Sequence, residues 1–174
     1  MVSKRNLLIL SAIVLAAVTR LLPHPPNFTA VGALALFGGA MFSNRLFGFI
    51  APLLAMFLTD LILGLHATMG SVYLSFSLTV FLGYFIGNSK KKDTFIKIFF
   101  APVASSLLFF LLTNFQMWLV SAEFYTRDWQ GLLTCYTAAI PFYSSTLAGD
   151  MFFTYILFGS YFLVEQKVPS LIKA

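Results

Sequence analysis

The sequence predicts an all-α integral membrane protein, a single bundle of six transmembrane helices. Three observations predict it. Hydrophobic residues make up 59% of the 174-residue chain and charged residues only 10%, where ordinary globular domains carry about 25% charge. Mean hydropathy is +0.88. The apolar residues also fall into runs of near-spanning length, and at ~20 residues per span the chain has room for about six. The net charge of +5 would suggest acidic partners in a soluble protein. Here the placement of the charges matters more, because it sets orientation. The expected surroundings are lipid, not nucleic acid. A lone Cys135 excludes an intramolecular disulfide.

Lys4 and Arg5 precede the apolar run Leu7 to Val18. A charged start and a short apolar core are also features of a signal peptide. No A-x-A-like site follows, however, and the chain continues through Thr19 and Arg20 into Leu21 and Leu22. This is the first predicted membrane helix, residues 6–22. Next comes Arg20 to Gly39, RLLPHPPNFTAVGALALFGG, in which a turn with three prolines and a histidine leads into an uncharged, glycine-rich run. Irregular backbone at a membrane is tolerated where it is buried in protein or lines a cavity. The turn Pro23 to Asn27 is therefore expected to be a lid.

The second segment, 28–42, is short and rich in small residues, so it packs closely or is partly unwound. The third, 46–65, contains Pro52 and the unexpected Asp60; the fourth, 72–86, is closed by the basic loop Asn88 to Asp93. The fifth, 95–120, carries Pro102 early and Asn114 and Gln116 late, and the sixth, 147–164, opens with Gly149 and Asp150. Between the last two, Asp128 suits an N-cap. Trp129, Leu132, Leu133, Tyr136 and Ile140 then recur at helical spacing, which predicts an amphipathic helix over 129–140 lying in the membrane interface.

With the N-terminus cytoplasmic and six spans, the inner side collects Lys4, Arg5, Arg45, Lys90, Lys91, Lys92, Lys97, Lys167 and Lys173. The outer side keeps Arg20 and Arg127. Nine against two follows the positive-inside rule and puts both termini of a multi-pass protein in the cytoplasm. That orientation places Arg20, His24, Asp60, His66, Asn114, Gln116, Trp118 and Asp150 in the outer half. Charges within a span face the bundle interior or a water-filled cavity, so polar groups confined to one half suggest a cup that opens outward.

Each of these residues also has a plainer reading. Arg20 can snorkel to the headgroups, and Asp60 and Asp150 can form a structural pair with it. His24 and His66 can bond loop carbonyls, and Asn114 and Gln116 can hold helices together. Cys135 lies on a small-residue stripe with Gly131 and Ala138. Ala12 and Ala16, four residues apart, permit close helix approach, either within the chain or against a partner. No H-E-x-x-H, G-x-S-x-G or P-loop pattern is present, so no catalytic residues and no cofactor are expected. The alternatives to a transport role are an intramembrane enzyme on a lipid-linked substrate, using Asp60, His66 and His24, and a structural or assembly protein.

The pattern from Leu22 to Ala40, the later LTDLILGLH (Leu58 to His66), Thr113-Asn114-Phe115 and the stretch Cys135 to Asp150 resemble a family of bacterial membrane transport proteins. That family is similar in turn to the substrate-binding (S) components of energy-coupling factor (ECF) vitamin transporters. The resemblance covers roughly residues 10–163. It implies a six-helix bundle of the S-component type with an outward-facing pocket roofed by the loop after helix 1. It also implies that Ala12 and Ala16 dock a coupling subunit that works with ATPases. A further similarity is to BtuM-like cobalamin-uptake proteins, in which a cysteine can ligate cobalt. Cys135, His24 and His66 are the comparable ligands here, and a corrinoid is the first candidate among vitamin-sized solutes.

The expectation is a protein that captures a small solute from outside for uptake. Arg20, Asp60 and Asp150 would set the pocket's electrostatics, and Asn114, Gln116 and His66 would give directional hydrogen bonds. Trp118 would stack on a planar ligand, under the lid Pro23 to Asn27, whose His24 and Asn27 would also contact the solute.

Overall fold

A computed structural model describes residues 3–171 of the chain. Lys173, and the side chains of Lys91 and Lys92, lie outside the described residues. Among the described residues there are six α-helices and no strand: α1 (Lys4–Val18), α2 (Val31–Met41), α3 (Arg45–Leu63), α4 (Met69–Gly87), α5 (Lys91–Val120) and α6 (Trp129–Lys167). Four of them, α3 to α6, are long and apolar enough to cross a membrane. With 15 residues in α1 and 11 in α2, the first two are not, although a 3₁₀ turn over Thr19–Leu21 prolongs α1.

α2 is the centre of the molecule. It touches all five other helices, and nine of its residues are buried, including Leu34, Leu36 and Phe37. A helix that is apolar on every side belongs inside. Its glycines let it lie directly on α4. A Cβ at Gly39 would strike the Val80 carbonyl, and one at Gly83 would stand 2.5 Å from the Leu36 oxygen. Close backbone approach through small residues is the usual way to bind helices in lipid. At 1.5 Å per residue α2 is about 16 Å long, half of a ~30 Å hydrocarbon core. The expected second span, 28–42, is thus a half-length helix preceded by non-helical chain.

The bundle sorts its charges by end. At one end Arg5 donates to Tyr161 Oη (3.0 Å) and the Met41 carbonyl (2.6 Å). There Tyr84 also donates to the Arg45 carbonyl (2.5 Å), and Lys97 to that of Phe85 (3.3 Å). At the other end Arg20 meets Asp60, and Arg127 lies over the Trp118 ring.

One expected element changes. The predicted interfacial helix 129–140 is not separate, because α6 runs unbroken from Trp129 to Lys167 with Pro141 inside it. Pro141 removes one helical N–H, and the helix continues through it packed along α5. Ser144 donates to the Pro141 carbonyl (2.7 Å) and Thr146 to that of Phe142 (2.9 Å). The start of α6 is as the sequence predicts. Asp128 caps it by accepting from the Gly131 N–H (2.7 Å) and the Thr126 hydroxyl (2.8 Å), and these bonds hold its carboxyl below the usual aspartate range.

Candidate functional site

The site begins with the turn after α1. Phe28 N–H donates to the Pro25 carbonyl (3.0 Å), and Asn27 sits at φ 62°. Proline followed by a residue in the left-handed region is the pattern of a type II turn, where asparagine is among the few tolerated side chains. The chain then dives into the bundle. Phe28 packs its ring 5.8 Å from those of Phe152 and Phe153. Thr29 lies so close to α6 that a Cβ on Gly149 would come within 2.9 Å of its nitrogen.

α2 therefore starts at mid-depth with Ala30 in the cap position and no cap of its own. Asp150 of α6 supplies one. Its Oδ1 accepts from the Gly32 N–H (3.1 Å), and its Oδ2 from the Ser106 hydroxyl (2.8 Å) and, more weakly, that of Ser105 (3.5 Å). Only glycine fits at position 32, since a Cβ there would overlap the carboxylate. A carboxylate at a helix N-terminus is favoured by the helix dipole as well as by these bonds. The expected place of Asp150, in the first turn of an outer span, is corrected: it lies midway along α6, level with the start of the half-length helix.

A cavity of about 370 Å³ stands above this carboxylate. Its walls come from α2 to α6 and the 3₁₀ turn that ends α1, and the turn after it crosses one side. The exposed His24 and His66 mark its mouth, while the buried Thr79, Ser105 and Asp150 form its closed end. Phe76, Phe109, Met56 and Met117 supply apolar wall. Thr79 and Ser105 face each other at 3.3 Å, so the floor is a continuous patch of hydroxyl and carboxylate.

One family model matches residues 2–171, nearly the whole chain, under the description "Family of unknown function (DUF6580)". The chain belongs to the DUF6580 family. No curated protein and no solved structure matches it. The DUF6580 match takes in every cavity-lining residue, from Arg20 to Asp150.

In this DUF6580 chain the expected site residues divide. Arg20, His24, Asn27, His66, Asn114 and Asp150 line the cavity. Asp60 stands behind it, 3% exposed, bonded to Arg20 (2.8 Å) and to the Tyr73 hydroxyl (2.7 Å). Arg20 is completed by the Thr59 hydroxyl at 2.6 Å, so this carboxylate ties α1, α3 and α4 together. Asp150 takes no part in that pair. Gln116 is also structural: its Oε1 accepts from Ser71 N–H (2.6 Å) and its Nε2 donates to the Ala67 carbonyl (2.9 Å), which caps α4. Trp118 holds the α5–α6 connection by donating to the Thr126 carbonyl (2.8 Å).

Cys135 is buried between α5 and α6, its Sγ 3.5 Å from the Asn114 carbonyl, and does not line the cavity. His24 bonds the Pro25 carbonyl and His66 the Thr68 hydroxyl. Among the described residues no three His, Cys, Asp or Glu side chains gather as a metal site. Ala16 is 7% exposed and belongs to the bundle's own core, with Ala12 packed beside it. The stripe thus packs inside the chain, while Ala12 keeps part of its surface open. The residues the sequence reading missed are hydroxyls: Ser75, Thr79, Ser105, Thr113 and Thr146. Ser71, Ser75 and Thr79 recur every fourth residue in an apolar helix, which puts them on one face; that spacing was the available signal.

Proposed function

We propose that the chain is a membrane-embedded solute-binding protein that takes a small, vitamin-sized molecule from the outer side for uptake. The observation that carries this reading is the cavity of about 370 Å³, within the ~300–1,000 Å³ of small-molecule sites and combining apolar wall with a few convergent polar groups. Its mouth lies at the end of the bundle that holds Arg20 and Arg127, opposite the cationic end of Arg5, Arg45 and Lys97. The positive-inside rule then turns the mouth outward. In this reading α1 with its 3₁₀ extension, and α2 with the turn before it, complete a six-segment bundle in a bacterial inner membrane, both termini inside.

The volume favours a solute at the small end of the vitamin range. A corrinoid macrocycle exceeds it, and Cys135 is turned away from the cavity, so cobalt ligation is not part of the proposal. The sequence holds no nucleotide-binding motif, so uptake driven by ATP would require separate energising subunits. Mass spectrometry of the detergent-purified protein tests the reading. A stoichiometric small molecule should be released on denaturation, and adding it back should raise the melting temperature. Lipid alone, with no shift from a panel of vitamins, would sink the idea.

A further inference from the structure

The directions of the hydrogen bonds inside the cavity say what kind of molecule it takes. A hydroxyl has one hydrogen to give and two lone pairs, and a carbonyl can only accept. Ser75 donates to the Ser71 carbonyl (2.6 Å) and Thr79 to that of Ser75 (2.8 Å). Thr113 donates to the Phe109 carbonyl (2.7 Å) and Thr146 to that of Phe142 (2.9 Å). All four have spent their hydrogen on their own helix. To a ligand they present lone pairs.

The charges point the same way. Among the described residues the only ion pair is Arg20–Asp60. It is neutral as a unit and sits toward the mouth. The carboxylate of Asp150 is 3% exposed and met by N–H and O–H donors without a cationic side chain. The closed end of the cavity therefore holds a carboxyl group with no cationic partner in surroundings of low dielectric, where a docked cation would favour its ionised form and be attracted far more than in water. At the mouth, Arg20 Nε is a buried donor without a partner, suited to an acceptor on the solute's far end.

We infer that the cavity selects a cationic nitrogen compound, an ammonium or amidinium solute, whose charged end docks on Asp150 while the hydroxyls of Thr79 and Ser75 accept its remaining N–H groups. The inference rests on the solute-binding reading and names its substrate class. Anionic solutes meet a carboxylate and lone pairs, and neutral amides gain only the hydrogen bonds.

Two matched sets of probes separate charge from shape: benzamidinium, benzamide and benzoate; tryptamine, indole-3-acetamide and indole-3-acetate. Calorimetric titration of the full-length protein in detergent should find each cation at least about tenfold tighter than its amide, with the carboxylate weakest. Asp150→Asn should bring the cation down to the amide's level. Because Asp150 also caps α2, Thr79→Val is the companion variant. It leaves the carboxylate in place and should weaken the cations about tenfold, the worth of one charge-assisted hydrogen bond. An amide or carboxylate that binds as tightly as its cation overturns the charge selection and leaves the solute-binding reading standing. Silence from all six probes, with only lipid co-purifying, overturns both.

Discussion

Asp60 and Asp150 look alike in the sequence, each a carboxylate interrupting an apolar run, and their surroundings give them different work. Asp60 neutralises Arg20 behind the cavity wall, whereas Asp150 faces the cavity and holds α2. Asp60→Ala strands a nearly buried guanidinium, so it should lower stability by about 3–5 kcal/mol. The melting temperature should fall while the folded fraction still binds solute; retained stability with lost binding would instead put Asp60 in the site. Asn27 offers a backbone test. Its positive φ costs a β-branched side chain about 1–2 kcal/mol. Asn27→Val should therefore destabilise the turn, and Asn27→Gly should be close to neutral in thermal unfolding. Arg20 and a carboxylate were legible as partners from their shared end of the chain's apolar segments. Which carboxylate answers Arg20 depends on how α1 packs on α3, and nothing local to Asp60 or Asp150 encodes that.

At the scale of elements, two helices without side-chain caps of their own borrow them: α2 from Asp150 and α4 from Gln116. Buried helix ends need such partners, and here the donors and acceptors come from helices distant in sequence. Gln116→Leu should cost about 1 kcal/mol and speed hydrogen exchange at Ser71, with little effect on the rest of α4. A Cβ branch at the α2–α4 seam is graver. Gly39→Val drives into the Val80 carbonyl and should reduce the yield of folded protein well below that of Gly159→Val, where a Cβ meets open space. The Asp128 cap adds a pH dependence. Its carboxyl titrates below the usual aspartate range in the fold, so its contribution is complete above about pH 4 and is lost as pH falls through the folded value. Helix boundaries with a local cause, such as this cap, were readable from the sequence. The continuity of α6 through Pro141 and the half length of α2 were not, because both are set by helices distant in sequence: α5 packed along α6, and Asp150 at the start of α2.

Across the whole molecule, cations gather at one end and the cavity opens at the other. That arrangement makes the orientation testable. In a Cys135→Ala background, His66→Cys should react with a membrane-impermeant maleimide in intact cells, and Ser89→Cys only after permeabilisation. The reverse pattern would invert the proposed direction of transport. The basic loop and the apolar runs made this layout legible in advance, since charge placement follows membrane thermodynamics more than packing. The cavity itself was legible in outline only. Its mouth was marked by rare residues such as His24 and His66, its floor by serines and threonines too common to stand out.

The half-length helix joins these two ends. Its first turn hangs from the Asp150 carboxylate, and its last carbonyl, at Met41, is gripped by Arg5 2.6 Å away. Between them lie about 16 Å of helix whose backbone rests directly on that of α4. Under the proposed function, a solute that claims a share of Asp150 would weaken its bond to the Gly32 N–H. The chamber thus has a mechanical linkage to the cationic end of the bundle built from a single piece, and under the proposed function a filled chamber would differ from an empty one at that end as well.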